Sequence, residues 1–276
     1  MLIVSIAGAQ ADPSAWKSYT VKDEQFTVAL PVLPSMDYSR LQSDSHGDHL
    51  EITLSSFADG VVYIIHVFEN LSPRQSLDSF IKDRGASSSY PLNRKTKREV
   101  TVDGVSGKTF SFDGMAGAVQ FLSKDNRLFR FAAFGAPHDD VRVTKFFSSI
   151  SLNNKNAVEI PITAPRPYWF DPPTTSDAPE KIFTPQEVDK KFQVVMNFHP
   201  EYTELARQNR IEGTIVIKCT LAADGTVRNI RVVSALPYGL TERAIASTRK
   251  LKFIPAMKDG KYVSVSTQHV YNFHLF

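Results

Sequence analysis

The chain has 276 residues, more than one compact core of ordinary size requires, so two domains are expected. A hydrophobic fraction of 42% with 22% charged residues is typical of globular proteins and excludes a disordered or fibrous chain. The net charge of +3 is too small to imply a polyanionic partner for the whole chain. The only cysteine, Cys219, cannot form an internal disulfide, so cysteine usage does not indicate the redox compartment.

Residues 1–11 are apolar or small and end in Ala9-Gln10-Ala11, an A-x-A pattern of the kind that signal peptidase cleaves. The stretch is too short to cross a bilayer as a helix. We interpret residues 1–11 as a signal-peptide remnant, and the alternative is an ordinary apolar strand. No other run is long and apolar enough to cross a membrane, so a soluble or peripherally held mature protein is expected.

Residues 14–152 are predicted to form one β-rich α+β domain. Its strand-like runs are Trp16 to Val21, Phe26 to Leu30, Leu50 to Phe57, Val61 to Phe68, Glu99 to Val102, Ser106 to Asp113, Ala116 to Ser123 and Leu128 to Phe134. Between strands, Asp59-Gly60, Asp103-Gly104 and Asp113-Gly114 predict type I′ turns, in which both residues take positive φ. Helical spacing of apolar residues predicts helices at Gln75 to Arg84 and Val141 to Ile150.

Aromatic residues and prolines open this segment, and an apolar motif closes it. They are Trp16…Tyr19…Phe26…Leu30-Pro31…Pro34 and Phe146-Phe147-Ser148-Ser149-Ile150. With these motifs the segment resembles the PsbP-like family. The resemblance implies an α/β/α sandwich with an antiparallel sheet, and an adaptor without a catalytic site.

Residues 153–185 are predicted to form a Pro-rich linker. The prolines are Pro161, Pro165, Pro167, Pro172, Pro173, Pro179 and Pro185. Proline fixes φ and removes a hydrogen-bond donor, so an extended, semi-rigid segment is expected. Its aromatic centre, Tyr168 to Phe170, could dock on a neighbouring domain or bind a Pro-recognition module.

Residues 186–276 are predicted to form a second α+β domain. Its predicted elements are a helix at Glu201 to Asn209, a strand at Thr214 to Leu221, a strand at Val227 to Ser234, a helix at Leu240 to Lys250, and extended segments at Lys252 to Ala256 and Tyr262 to Leu275. Asp224-Gly225 and Asp259-Gly260 are predicted turns. The last strand has no later sequence to pair with on its outer side, so it is a candidate open edge.

A long motif runs through this domain. It reads Tyr202-x-x-x-Ala206-Arg207-x-x-Arg210-Ile211-Glu212-Gly213-x-Ile215-x-Ile217, then Asp224-Gly225-x-Val227-x-Asn229-Ile230, then Leu240-Thr241-Glu242-x-Ala244-Ile245, Lys250-Leu251-Lys252-Phe253-x-Pro255-Ala256 and Asp259-Gly260-Lys261. In order and spacing it resembles the TonB C-terminal domain family. The resemblance implies a small antiparallel sheet packed by two helices, and a periplasmic protein, with a membrane-associated form as the alternative.

The resemblance also implies a function. The last strand of the TonB family pairs with a short peptide of an outer-membrane receptor, the TonB box. A TonB-dependent outer-membrane receptor or another periplasmic protein is therefore the expected partner, in energy-coupled transport. The alternative is a structural adaptor whose edge is buried by the other domain or by homodimerisation, since proteins do protect edges.

Candidate peptide-binding residues follow from the same strand. They are Tyr202, Arg207, Val263, Ser264, Val265, Ser266, Thr267, Gln268, His269, Val270, Tyr271 and Asn272. Main-chain bonds would supply affinity and alternate side chains selectivity. Ser264, Ser266, Gln268 and Tyr271 are expected to be exposed and to read the peptide. The excess of Lys and Arg, about 11 against about 6 Asp and Glu from His199 onward, makes this domain basic and suits an acidic partner.

No catalytic motif accompanies these features. The cluster Ser45-His46-Gly47-Asp48-His49 mixes faces and is interpreted as a polar loop, not a metal site. His66 is predicted to be a core histidine, and Cys219, which alternates with Ile217 and Leu221, a buried small hydrophobe. We therefore predict a non-enzymatic protein with no cofactor, no metal, no evident small-molecule substrate and no nucleic-acid partner, because aromatics are not interleaved with the basic residues.

Overall fold

The structure is a computed structural model. It describes residues 16–20, 26–43, 47–68, 76–84, 90–125, 127–153, 158–159 and 181–275. The chain divides into two compact units, residues 1–163 and residues 164–276. Both are rich in sheet with few helices, as the predicted α+β class requires. Among the described residues, no helix is long and apolar enough to span a membrane.

Antiparallel strands dominate the first unit. In chain order its elements are β1 (Lys17–Thr20), β2 (Thr27–Leu30), β3 (Ser35–Ser43), β4 (Gly47–Ala58), β5 (Val61–Phe68), α1 (Leu77–Arg84), β6 (Leu92–Val102), β7 (Val105–Phe112), β8 (Gly117–Lys124), β9 (Arg127–Phe134), α2 (Val141–Ser148) and β10 (Val158–Glu159). Seven of them form one sheet in the order β3-β4-β5-β9-β8-β7-β6. A smaller sheet has the order β10-β1-β2.

The large sheet carries a helix on each face. Phe146 of α2 packs on Tyr63 of β5, with ring centroids 5.0 Å apart. Phe80 of α1 packs on Phe68 of the same strand, with centroids 4.8 Å apart. Because side chains alternate along a strand, Tyr63 and Phe68 lie on opposite faces. Every residue of β5 is therefore buried.

Two of the three predicted type I′ turns of this unit are confirmed. Asp59-Gly60 and Asp103-Gly104 have φ values of 48°, 78°, 50° and 81°, as that turn requires. The prediction for Asp113-Gly114 is wrong. Only Gly114 has positive φ, and β8 begins at Gly117, so a longer connection follows β7.

The second unit is smaller. Its elements are β11 (Ile182–Phe183), β12 (Gln193–Met196), α3 (Glu204–Gln208), β13 (Gly213–Leu221), β14 (Val227–Ser234), α4 (Leu240–Arg249), β15 (Lys252–Ile254), β16 (Ala256–Lys258) and β17 (Lys261–Phe273). The main sheet has the order β11-β17-β13-β14, with β16 also paired to β17, and β12 pairs separately with β15. Helix α4 packs against β13 and β14.

The core of the second unit lies between this sheet and its helices. Alternate residues of β13 are at most 1% exposed, as their spacing predicted: Ile215, Ile217, Cys219 and Leu221. Ile215 and Ile217 pack with Ala206 of α3 and with Leu240 and Ala244 of α4. Cys219 and Leu221 pack with Phe253 of β15. The opposite face of the sheet, which we call the open face, carries Thr214, Val216 and Lys218 of β13.

Candidate functional site

Strand β17 is the longest of its sheet, and its two sides differ. On its inner side it pairs with β13 from Gly213↔Phe273 to Leu221↔Val265. β11 pairs with Ser264 and Val265 on the outer side, opposite β13, and β16 pairs with residues 261–263. From residue 266 to residue 273, no described strand pairs with the outer side. We call residues 266–273 the open edge.

The open edge is shorter than the sequence predicts. The expectation of a free outer side is wrong for Val263, Ser264 and Val265, which are covered by β16 and β11. The two residues of β11, Ile182 and Phe183, lie within the linker that the sequence predicts for residues 153–185. They form a strand because they pair in parallel with β17, a long-range contact that no local sequence pattern predicts.

A turn takes the chain away from β17 at the point where the open edge begins. The Glu187 carboxylate accepts hydrogen bonds from the Thr184 amide at 2.6 Å and the Thr184 hydroxyl at 2.7 Å. The Glu187 amide donates to the Thr184 carbonyl at 3.1 Å. The hydrogen bond from the Thr184 amide lowers the pKa of Glu187. The chain then pairs with Met257 through Lys190, which leaves the outer side of β17 beyond Val265 uncovered by these residues.

One set of β17 side chains faces the core. Tyr271 is 5% exposed, and its hydroxyl lies 3.0 Å from Thr248 Oγ1. Ser264, which by alternation lies on the opposite face of β17, is also only 1% exposed, and its Oγ accepts a hydrogen bond from the Ala223 amide at 2.9 Å. The prediction that Ser264 and Tyr271 are exposed is therefore wrong, because each hydroxyl has a partner inside the unit. Thr267 and His269 are partly buried on the same face as Tyr271.

The other set of β17 side chains lies on the open face. Gln268, Val270 and Asn272 are exposed, Val270 at 56%, and Ser266 is partly buried. Asn272 Oδ1 accepts a hydrogen bond from the Thr214 hydroxyl at 2.9 Å. Of the predicted reader side chains, Ser266 and Gln268 therefore line the open edge.

A groove of about 250 Å³ borders the far half of the open edge. One wall is formed by Asn197, His199 and Pro200, and the other by residues 270–272. The residues of the first wall were missed by the sequence analysis. They lie in irregular backbone between β12 and α3, where neither periodicity nor a turn motif identifies them.

Tyr202 and Arg207 lie at the end of the open edge. The Tyr202 hydroxyl donates to the Ile211 carbonyl at 2.8 Å, and its ring meets Phe273 edge-on with centroids 5.2 Å apart. The Arg207 guanidinium lies 6.0 Å from the Tyr202 ring centroid. Tyr202 thus anchors the chain before α3 to the end of β17, and its exposed neighbour Arg207 is left to meet solvent or a partner.

The open face carries uncompensated positive charge. Lys218 of β13 and Arg231 of β14 are exposed cross-strand neighbours, and neither has an ion pair among the described residues. Arg228 is paired with Asp224 at the hairpin. The strands contribute no Asp or Glu to this face. A negatively charged partner therefore matches the open face.

The other candidates for chemistry are buried or lie outside the described residues. Cys219 is 1% exposed, and burial raises the pKa of its thiol to about 11, so its predicted buried position is confirmed. His66 is 1% exposed as predicted, and burial holds its pKa well below the ordinary value. His46 lies outside the described residues, as do the side chains of Asp48 and His49. Within the described part of the chain, no three His, Cys, Asp or Glu residues could hold a metal ion.

The second unit is thus a small α+β domain whose longest strand has an open edge. Residues 198–275 match the model of the family described as Gram-negative bacterial TonB protein C-terminal, which confirms the resemblance predicted from the motif. The chain is also similar to the solved structure of the Pseudomonas aeruginosa TonB CTD, with 22% identity over 32% of this chain and 92% of that chain, at a TM-score of 0.26.

A second similarity is to PsbP (CyanoP) from Synechocystis sp. PCC 6803. It has 11% identity over 54% of this chain and 97% of that chain, at a TM-score of 0.33. The search of curated proteins gave no match.

Proposed function

We propose that the second unit is a non-enzymatic interaction module that binds an extended segment of another protein by adding it as a strand to the open edge. The observation that carries this proposal is the outer side of residues 266–273, which pairs with no described strand. Such a row of amide and carbonyl groups is a template for a visiting strand. At about 3.3 Å per residue, the open edge offers roughly 25 Å of backbone.

The added strand would contact two kinds of surface. Its main chain would bond to the outward-facing groups of residues 266–273. On the open face, its side chains would lie beside Gln268 and Val270, one strand away from Lys218. Near the end of the strand, one side chain would enter the groove that is walled by Asn197, His199 and Pro200. An acidic, β-prone segment fits these features.

We further propose the partner and the compartment. The match of residues 198–275 to a Gram-negative TonB family and the A-x-A pattern of Ala9-Gln10-Ala11 support a periplasmic protein. Its partner would be a TonB-dependent outer-membrane receptor or another periplasmic protein, in energy-coupled transport. Residues 14–152 would be a PsbP-like α/β/α sandwich that serves as an adaptor. Residues 153–185 would link it to residues 186–276.

The open edge can be tested by amide hydrogen exchange of the full chain, followed by NMR. In the free protein, the outward-facing amides of residues 266–273 should exchange fast, while those of residues 261–265 should be protected by β16 and β11. A TonB-box peptide should protect the outward-facing amides of residues 266–273 and shift their signals. It should leave the amides of residues 261–265 unchanged. Protection of the outward-facing amides of residues 266–273 in the free protein would contradict the proposal and favour an adaptor whose edge is buried.

Two further experiments separate strand addition from other binding. N-methylation of alternate peptide residues should abolish binding in one register and spare it in the other, because only alternate amides face the edge. Among protein variants, Val270→Asp should weaken binding of an acidic peptide. Val233→Asp is the matched control, since Val233 is a 61% exposed valine on the other edge strand, β14. Equal losses in the two variants would count against the open edge.

A further inference from the structure

The first unit contains a cavity of about 550 Å³ on the face of the large sheet that α2 covers. Helix α2 packs on β2 and β8, and the cavity lies beyond it, over β6, β7 and β8. The sheet forms the floor of the cavity and presents small side chains there, Thr109 of β7 and Ala118 of β8. The volume is within the range of small-molecule sites, roughly 300–1,000 Å³.

Gln120 of β8 is the unusual residue of this cavity. It lines the cavity, it is 5% exposed, and its Nε2 is buried without a hydrogen-bond acceptor in the part of the chain that the structure describes. Its cross-strand neighbour Thr109 does not serve it, since the Thr109 hydroxyl donates to the Val119 carbonyl at 3.0 Å. Buried amide groups nearly always have partners, so this donor calls for an acceptor that the described residues do not supply.

The lining defines what such an acceptor belongs to. Apolar side chains form much of the wall: Val100, Val102, Phe147 and Ile150. The lining also includes the polar residues Thr101, His138, Thr144 and Ser148 but no Lys or Arg, so an anion would find no permanently cationic side chain there. The one lining carboxylate, Asp103, already accepts hydrogen bonds from the Ser151 hydroxyl at 2.7 Å and the Leu152 amide at 2.8 Å. The cavity therefore suits an uncharged molecule.

We propose that this cavity binds an uncharged, largely apolar small molecule through a carbonyl or similar oxygen, which accepts a hydrogen bond from Gln120 Nε2. Phe147 and the valines of β6 contact its apolar part. The role is independent of the open edge in the second unit, and it gives the first unit a binding activity of its own.

The test compares two probes that differ in one acceptor, acetophenone and ethylbenzene, titrated into the full-length protein and observed by NMR. Acetophenone should shift the Gln120 side-chain amide signals and the backbone amides of Ala118 and Phe147 saturably. It should bind about fivefold more tightly than ethylbenzene, the contribution of one net hydrogen bond. In Gln120→Met, which keeps the length of the side chain and removes the amide, acetophenone should bind no more tightly than ethylbenzene, because its carbonyl then has no donor.

A second variant keeps the test decisive if Gln120→Met does not fold. Val100→Phe fills the cavity from edge strand β6, where Val100 is only partly buried, and should abolish binding of both probes. The proposal is overturned if neither probe shifts the lining amides of the wild type, or if both bind it equally. It is also overturned if a bound water on Gln120 Nε2, seen by its nuclear Overhauser effect, persists when acetophenone saturates the protein.

Discussion

Lys218 and Arg231 lie directly opposite each other on β13 and β14, two exposed cations with no ion pair among the described residues. Like charges in opposite positions of an antiparallel pair are destabilising. The repulsion is relieved if a negatively charged partner lies on the open face. The arrangement therefore costs the second unit some stability in the absence of a partner.

Replacing one of these cations should separate the effect of the charge on stability from its effect on peptide binding. Lys218→Glu forms an opposite-charge pair with Arg231 and should raise the free energy of unfolding of the second unit by about 0.5 kcal/mol. It should also weaken an acidic peptide at the open edge. Urea unfolding followed by the NMR signals of β13 and β17, with peptide titration, measures both. Lys218→Gln is the control that removes repulsion without adding attraction. A loss of stability in Lys218→Glu would contradict this interpretation.

The elements of the second unit were predictable where a local pattern determines them. The alternation from Ile215 to Leu221 correctly predicted which side of β13 is buried, since a two-residue period on one packed face allows only one arrangement. The turn at Asp259-Gly260, with φ values of 50° and 72°, was also predictable from its residue types.

The extent of the open edge was not predictable from local patterns. The strand Ile182–Phe183 follows a Pro-rich stretch and is defined only by its pairing with Ser264 and Val265. Tyr271 alternates with exposed residues and ends in a hydroxyl, but it is buried because Thr248 of α4 supplies a partner. Such long-range partners decide burial, and a single strand's sequence does not contain them.

The contact between Tyr271 and Thr248 should contribute measurably to stability. Thr248 Oγ1 donates to the Ala244 carbonyl at 2.9 Å, so the Tyr271 hydroxyl is the donor to Thr248. Tyr271→Phe should lower the free energy of unfolding of the second unit by about 1 kcal/mol, the net value of a buried hydrogen bond. Chemical denaturation of the full chain, followed by NMR signals of β17, measures the change.

The matched variant for this pair is Thr248→Val, which leaves the Tyr271 hydroxyl buried without its acceptor. In the double variant Tyr271→Phe with Thr248→Val, the total loss should be smaller than the sum of the two single losses, because no unpaired hydroxyl remains. Peptide affinity should change little in Tyr271→Phe, since the hydroxyl faces the core. Strictly additive losses would show that the two side chains do not interact.

The turn closed by Glu187 should determine where the open edge begins. Glu187→Ala removes the acceptor of the Thr184 amide and hydroxyl, so β11 should detach more often from β17. Of the amides of Ser264 and Val265, the one that faces β11 should then exchange at least severalfold faster, while the β17 amides that face β13 stay protected. Gln186→Ala, a substitution at the exposed neighbouring position, is the control. Unchanged exchange at Ser264 and Val265 in Glu187→Ala would exclude this role for the turn.

Acidification should destabilise the second unit through His269. Its Nε2 is buried without a hydrogen-bond partner among the described residues, and burial lowers its pKa in the folded state. In the unfolded chain the pKa of histidine is about 6.5, so below that pH the unfolded state binds more protons than the folded state. The contribution is therefore fully present above about pH 6.5 and is lost as the pH falls below it.

In the wild type, the free energy of unfolding of the second unit should decrease as the pH falls. Denaturant titration between pH 7.5 and pH 5.5 measures it. In His269→Gln this dependence should be weaker, because the replaced side chain does not titrate. His199→Gln is the control for a histidine at an exposed position. If His269→Gln keeps the full pH dependence, another group is responsible, and the partly buried imidazole of His269 is not the source of acid sensitivity.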